Sequence, residues 1–395
     1  MKLQAGRAAG VSLGLFLVLS VAHYRNLTDW DSQSAASSAV IALGLGVLLL
    51  PVLLVRNPLR GLLAPTLTDC CIILFFLWTC IAAILFGHQT AHALLSAVAA
   101  LILAAFFMTF RQEIRAGQTL HIAGIILAGF TGILFAVLPV RWGFTLGGIQ
   151  PNQFAKLGLA VLVLGHCTAG RFRLLALGIA ILCALISTSR AAILFLTVFA
   201  TVYYLPENPM RRAITLTLGG AAVLGLFFAD WLLSTGVFAH IRDKLLLLSD
   251  PALGLGSGFS GRDKYWQSGL QAIPENILGW GYNTRGATGG QEAHDLNAHQ
   301  GYINLVLDAG VIGLFLFLAA LASFFVHVRK SAAQGNTVSR AGAAFCMSYP
   351  FIMALDPIYF SITLPLSAIF LGFLCSGYGR SARFRRPAGV NPQSH

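Results

Sequence analysis

Three residues of this chain are of types that hold an anion and move a proton. They are Arg190 in "STSRAA" (187–192), Arg262 in "SGRDKYW" (260–266) and His299 in "NAHQGYINLVLDAG" (297–310). A guanidinium group grips phosphate oxygens through paired, charge-assisted hydrogen bonds. An imidazole, with an ordinary pKa of about 6.5, accepts a proton near neutrality. Together they suit a phosphate-bearing ligand and a proton transfer. Each also has a plainer reading. Arg190 fits a side chain snorkelling from a helix end, Arg262 and Lys264 fit solvated charges on an amphipathic helix, and His299 fits a polar helix start. Asn152, which follows Pro151, fits a helix cap. Which reading holds depends on whether the elements carrying these residues bring them to one place.

Of the 395 residues, 57% are hydrophobic and only 10% charged, against about 25% charged in an ordinary soluble domain. Such a composition belongs in a membrane. The net charge of +12 has one cluster only, Arg380, Arg383, Arg385 and Arg386, so membrane topology accounts for it and nucleic acid is not an expected partner. Seven cysteines, at 70, 71, 80, 167, 183, 346 and 375, fall within apolar stretches. They build no disulfide framework or metal finger. The stretch 11–22 follows Lys2 and Arg7 as a signal peptide would, yet no A-x-A-like cleavage site follows it. It reads as a retained first helix.

A helix needs about 20 mostly apolar residues to cross a bilayer with every backbone amide satisfied. Twelve stretches approach this: 9–22, 37–55, 68–86, 92–110, 120–140, 153–169, 173–188, 190–205, 213–232, 301–326, 341–355 and 358–377. The expected fold is an all-α polytopic membrane protein. Membrane helices 1–9 occupy 1–232, a large periplasmic loop 233–300, membrane helices 10–12 301–377, and a basic cytoplasmic tail 378–395. With both termini cytoplasmic, 17 of the 26 basic residues lie on that side, as short-loop charge bias requires. Of the other nine, Arg242, Lys244, Arg262, Lys264 and Arg285 share the long loop, leaving Arg25, Arg141, Lys156 and Arg190 near short external loops against the rule. In the long loop, 240–250 and 261–273 have the spacing of short amphipathic helices on a membrane surface. Glycines at 254, 256, 258, 261, 279, 281, 286, 289 and 290 mark flexible connections between them. On this topology Arg141, Gln150, Asn152, Lys156, Arg190, Arg262 and His299 all reach the external face.

The pattern resembles the bacterial O-antigen ligase and O-antigen polymerase family over about residues 145–315. The matching features are the Pro-Asn step of "QPNQFA", the Ser-Arg of "STSRAA" and the Gly-Arg before Trp of "SGRDKYW". They continue with the Gly-x-Gly of "ILGWGYN" and the His before Tyr and a glycine-ended helix in "AHQGYINLVLDAGVIG". Gln300 departs from the Asn that follows the histidine in many relatives. The resemblance implies a GT-C-like fold and a metal-independent, inverting glycosyl transfer at the periplasmic face of the inner membrane. Its donor is a polyprenyl-diphosphate-linked glycan, its acceptor a glycan or lipid A core hydroxyl, and no cofactor is involved. Arg190 and Arg262 would hold the donor diphosphate, where leaving-group charge grows, and His299 would take the acceptor proton. Asn152, Tyr302, Gln150 and Arg141 would support binding, with Lys264 and Arg285 as glycan or phosphate contacts and His294 as rival base.

Other readings compete. "TDWDS" (28–32) looks like the Asp-x-Asp of metal-dependent glycosyltransferases, but an arginine-rich face makes a metal redundant. "HDLNAH" (294–299) has two histidines yet no evident third and fourth zinc ligand. Within the family, ligase onto lipid A core is favoured over O-antigen or exopolysaccharide polymerase by the compact single outer loop. A lipid-linked glycan transporter would need ionisable residues at mid-membrane depth, and the span interiors hold almost none.

Overall fold

A computed structural model describes residues 2–25, 35–55, 65–86, 90–137, 151–168, 170–187, 189–204, 262–282, 300–333, 336–356, 358, 360 and 364–376. These residues form helices α1 (Lys2–Arg25), α2 (Ala35–Leu49, continued by a 3-10 turn over Leu50–Leu54), α3 (Leu67–Phe86) and α4 (Thr90–Thr109). The short α5 (Arg111–Arg115) precedes α6 (Gln118–Val137), α7 (Pro151–His166), α8 (Phe172–Ser187) and α9 (Arg190–Tyr204). Last come α10 (Arg262–Ala272, continued by a 3-10 turn over Ile273–Glu275), α11 (Gly301–Ala333), α12 (Thr337–Leu355) and α13 (Pro365–Cys375). Among the described residues there is no strand. Helix stands over eleven of the twelve expected spans; the ninth, 213–232, lies outside the described residues, as do 240–250 and the arginine tail. Among the described residues, five stretches are long and apolar enough to cross a membrane: Gln4–Val21, Leu67–Phe86, Gln118–Ala136, Gly301–Arg329 and Thr337–Leu355.

Lipid tails are as apolar as leucine, so membrane helices gain most from close backbone approach at small residues. Gly6, Gly10 and Gly14 recur every four residues along one face of α1, which packs along α6. A Cβ added at Gly10 would meet Ile122 at 2.8 Å, and one at Gly14 would meet Ile126 at 2.8 Å. The α7 and α8 pair uses the same device, with Gly165 against Ala176 and Gly158 against Cys183. Thus α1 is built into the bundle.

Two buried ion pairs correct the charge map drawn from sequence. Arg111, one of the 17 basic residues assigned to the cytoplasmic side, is buried against Asp69, and its Nε donates to Cys375 O at 3.0 Å. Lys156, placed at the external surface, is 2% exposed and its Nζ lies 2.7 Å from Asp356 Oδ1. Both pairs lie near helix ends, yet their charges face protein. The sequence could not reveal this because each partner is far along the chain.

Two further expectations change. Pro151 opens α7, so Asn152 is its second residue rather than a cap; proline suits that first position because its missing N–H would be unpaired anyway. Gly279 and Gly281, read as flexible connections, are fixed in close contact. Within α11, Gly310 breaks the helix at φ 64°, ψ −170°, and the groups freed there pair with residues 277–281. Val311 N–H donates to Ile277 O (3.0 Å), Trp280 N–H to Leu307 O (2.9 Å) and Gly281 N–H to Asp308 O (2.8 Å). The Trp78 indole N–H donates to Ala309 O at 2.8 Å. A helix can break inside a membrane protein only if its freed backbone groups are met in this way. No side chain fits at the contact: a Cβ at Gly310 would lie 2.3 Å from Leu278 C, and one at Gly279 2.5 Å from Gly310 N.

Gly310→Ala is therefore expected to destabilise the protein by about 1–3 kcal/mol from backbone strain alone, with the steric overlap adding to this. Gly129→Ala, at a position with nothing within 4 Å, should not. Unfolding of both variants in detergent tests this, and equal stability would refute a rigid contact.

Candidate functional site

One end of the bundle gathers the starts of α7, α9 and α11 with the end of α12. The first is fixed by the bond from Lys156, in the second turn of α7, to Asp356, just past α12. His166 Nε2 and Tyr204 OH, at the last residues of α7 and α9, lie 2.8 Å apart. These two helices therefore end together, and their starts lie at the opposite end, with Asp356. The start of α11 joins them through Gly301, where an added Cβ would be 2.4 Å from Ile358 O and 3.0 Å from Met353 O. Tyr302 OH donates to Pro350 O at 3.3 Å.

Local chemistry explains the starts themselves. Ser189 is buried, and its hydroxyl accepts the Ala192 N–H at 3.4 Å while its carbonyl accepts from Ile193. It caps α9, so the serine of "STSRAA" starts the helix and Arg190 takes the first helical position. Gln300 does the same for α11, its Oε1 accepting the Ile303 N–H at 2.6 Å and its carbonyl the Asn304 N–H at 3.1 Å. The amide that departs from the family pattern thus has a capping role, and His299 is the residue directly before the cap. α10, which opens at Arg262 and includes Lys264, packs against α11.

Of the residues singled out from sequence, the structure brings Asn152, Arg190 and Tyr302 to this end by their helix positions. Arg262 and Lys264 lie on the helix packed against α11. Arg141, Gln150, Arg285, His294 and His299 lie outside the described residues, as do Asp29 and Asp31 of the metal-like motif. Tyr302, half-buried with its hydroxyl bonded to α12, holds two helices together. Two polar residues were missed: Asn304 and Asp308, both buried, four apart on one face of the first segment of α11. Their signal was visible as two polar positions at helical spacing in the apolar run "YINLVLDAG". Among the described residues, no group of three or more His, Cys, Asp or Glu is placed to hold a metal ion.

Residues 175–318 match a family model described as O-Antigen ligase. This segment is similar to O-antigen ligases. No curated protein matches the chain. The O-antigen ligase segment contains Arg190, Arg262, Lys264, Arg285, His294, His299 and Tyr302, and also the Gly279, Gly281 and Gly310 contact. It runs from the first turn of α8 into the apolar part of α11 beyond the break. Asn152, Lys156 and Asp356 lie outside it, so the elements that buttress the O-antigen ligase segment come from both flanking regions of the chain.

Proposed function

We propose that this protein is a membrane glycosyltransferase that moves a glycan from a polyprenyl-diphosphate donor to an acceptor hydroxyl at the periplasmic face of the inner membrane. The observation carrying this reading is that the O-antigen ligase-family segment includes both arginines and the histidine chosen on chemical grounds. Arg190 and Arg262 bind the donor diphosphate and stabilise it as the anomeric carbon to oxygen bond breaks. The charge they meet is larger in the transition state than in the ground state, which is the condition for catalysis. His299 accepts the proton of the attacking hydroxyl, and inversion follows from a single displacement. Asn152 and Tyr302 support the site, with Gln150, Arg141, Lys264 and Arg285 as further glycan or phosphate contacts.

The distribution of charge supports the orientation. The end of the bundle opposite this site carries Arg7, Arg115, Arg171, Arg173 and Arg340, as a cytoplasmic end should. Lipid A core is the favoured acceptor. In cells lacking the protein, a lost ligase leaves long lipid-linked chains and a bare core, whereas a lost polymerase leaves single repeats on the core. A gel of surface polysaccharide separates these patterns, and normal surface glycan would overturn both. Reconstituted transfer is expected to persist in EDTA, because two guanidinium groups take the place of a divalent cation. Activity lost in EDTA and restored by Mg²⁺ would contradict the metal-independent mechanism.

A further inference from the structure

At the end of the bundle opposite the proposed transfer site, a cleft of about 540 Å³ opens between the α5–α6 junction, the turn after α7 and the start of α12. Among the described residues its lining includes Arg115, Gln118, His121, Thr168, Asn336 and Thr337, and no carboxylate. Glu113, the nearest acid in sequence, is not among the lining residues; its Cγ lies beside Gly6 of α1, as does the Gln118 amide oxygen. The lining is therefore cationic and rich in donors. We propose that this cleft binds a phosphate group, carried either by a small soluble ion or by a lipid headgroup at that membrane face.

Four features of the cleft fit that ligand. Arg115 is anchored by its Nε, which donates to Ser376 O at 2.8 Å, so its guanidinium is held at the cleft edge rather than free to swing away. His121 Nδ1 is buried and has no hydrogen-bond partner; a group left this way inside a protein is costly unless a ligand or water meets it. The first turns of α6 and α12 both border the cleft, and the first turn of any helix carries backbone N–H groups with no partner inside the helix. In α12, Asn336 satisfies Ser339 N–H through Oδ1 at 2.9 Å, and Thr337 and Val338 line the cleft ahead of it. Finally, Arg173 donates through Nε to the Thr168 carbonyl and lies 5.9 Å from the Tyr203 ring centroid, which adds a second held cation beside the lining.

The test uses the full-length protein in two settings. In detergent, inorganic phosphate is titrated against chloride at equal ionic strength; in nanodiscs, phosphatidylcholine is compared with phosphatidylcholine containing phosphatidic acid. The midpoint of thermal unfolding is expected to rise saturably in at least one setting. A rise with inorganic phosphate assigns a soluble phosphate, and a rise only with phosphatidic acid assigns a headgroup. Arg115→Gln should weaken the apparent affinity at least about tenfold. Because Arg115 also holds Ser376, a second variant is needed, and Thr337→Asp supplies it. A carboxylate there suits the start of α12 but repels phosphate, so the fold should remain and the response disappear. No saturable rise in either setting, or an undiminished response in Thr337→Asp, overturns the proposal. The readout is binding, so it is independent of whether glycan transfer is the protein's activity.

Discussion

Replacing His299 with alanine is expected to lower glycan transfer by about 10²- to 10⁴-fold, the range over which a general base acts, while leaving inserted protein at its normal level. Arg190→Ala and Arg262→Ala should be as damaging, since in the role proposed for them each supplies a donor to charge that develops on the departing diphosphate. Lysine at either position keeps the charge but loses the fork that grips two oxygens, so partial activity at best is expected. His294→Ala separates the two histidines: activity near normal there, with loss at His299, assigns the base. Transfer measured in reconstituted membranes and surface polysaccharide in complemented cells give the readouts. If all three alanine variants made normal surface glycan, the site would be wrong. The structural reason to expect cooperation is that α9 and α11 start at the same end of the bundle, and α10 packs on α11.

The second large effect concerns stability. Asp356→Ala would leave the Lys156 ammonium buried, 2% exposed, without its carboxylate. Removing one partner of a buried ion pair costs about 3–5 kcal/mol, whereas replacing both with apolar residues is often neutral. Asp356→Ala and Lys156→Met should therefore each unfold well before the native protein in detergent, and the double variant Lys156→Met with Asp356→Leu should recover most of the loss. Single variants as stable as the native chain would show that the pair does not hold α7 to α12. Since Asn152 sits one helical turn before Lys156, the single variants should also reduce transfer, through displacement of the start of α7.

Much of this architecture was legible in the sequence because a bilayer imposes one dominant rule, that apolar runs become helices. Helix stands in each expected span that is described, including 341–355 despite Pro350, although in the last, 358–377, it is confined to Pro365–Cys375. The Ser-Arg and Gly-x-Gly motifs also fall at structural landmarks, a helix start and a helix break. What escaped were relations between distant positions. Asp69 with Arg111, and Lys156 with Asp356, are 42 and 200 residues apart, and local reading treats each as a lone charge near a helix end. The glycines at 279 and 281 were misread for a related reason. Glycine signals freedom in an isolated chain, yet here it marks a place where another backbone arrives. Asn304 and Asp308 were overlooked because a long apolar run was read as one uninterrupted helix.

The contact around Gly310 is made chiefly of main chain meeting main chain, with the Trp78 indole adding a side-chain bond. Its recognition is therefore blind to residue identity at Ile277, Leu278 and Leu307, whose contribution is a carbonyl or a place in the backbone. Apolar residues other than these would keep the same backbone bonds, within the packing limits at buried Leu307, while the three glycines cannot change. A docking device of this kind lets the segment around 277–281 change its side chains while its backbone keeps its seat in the helix bundle.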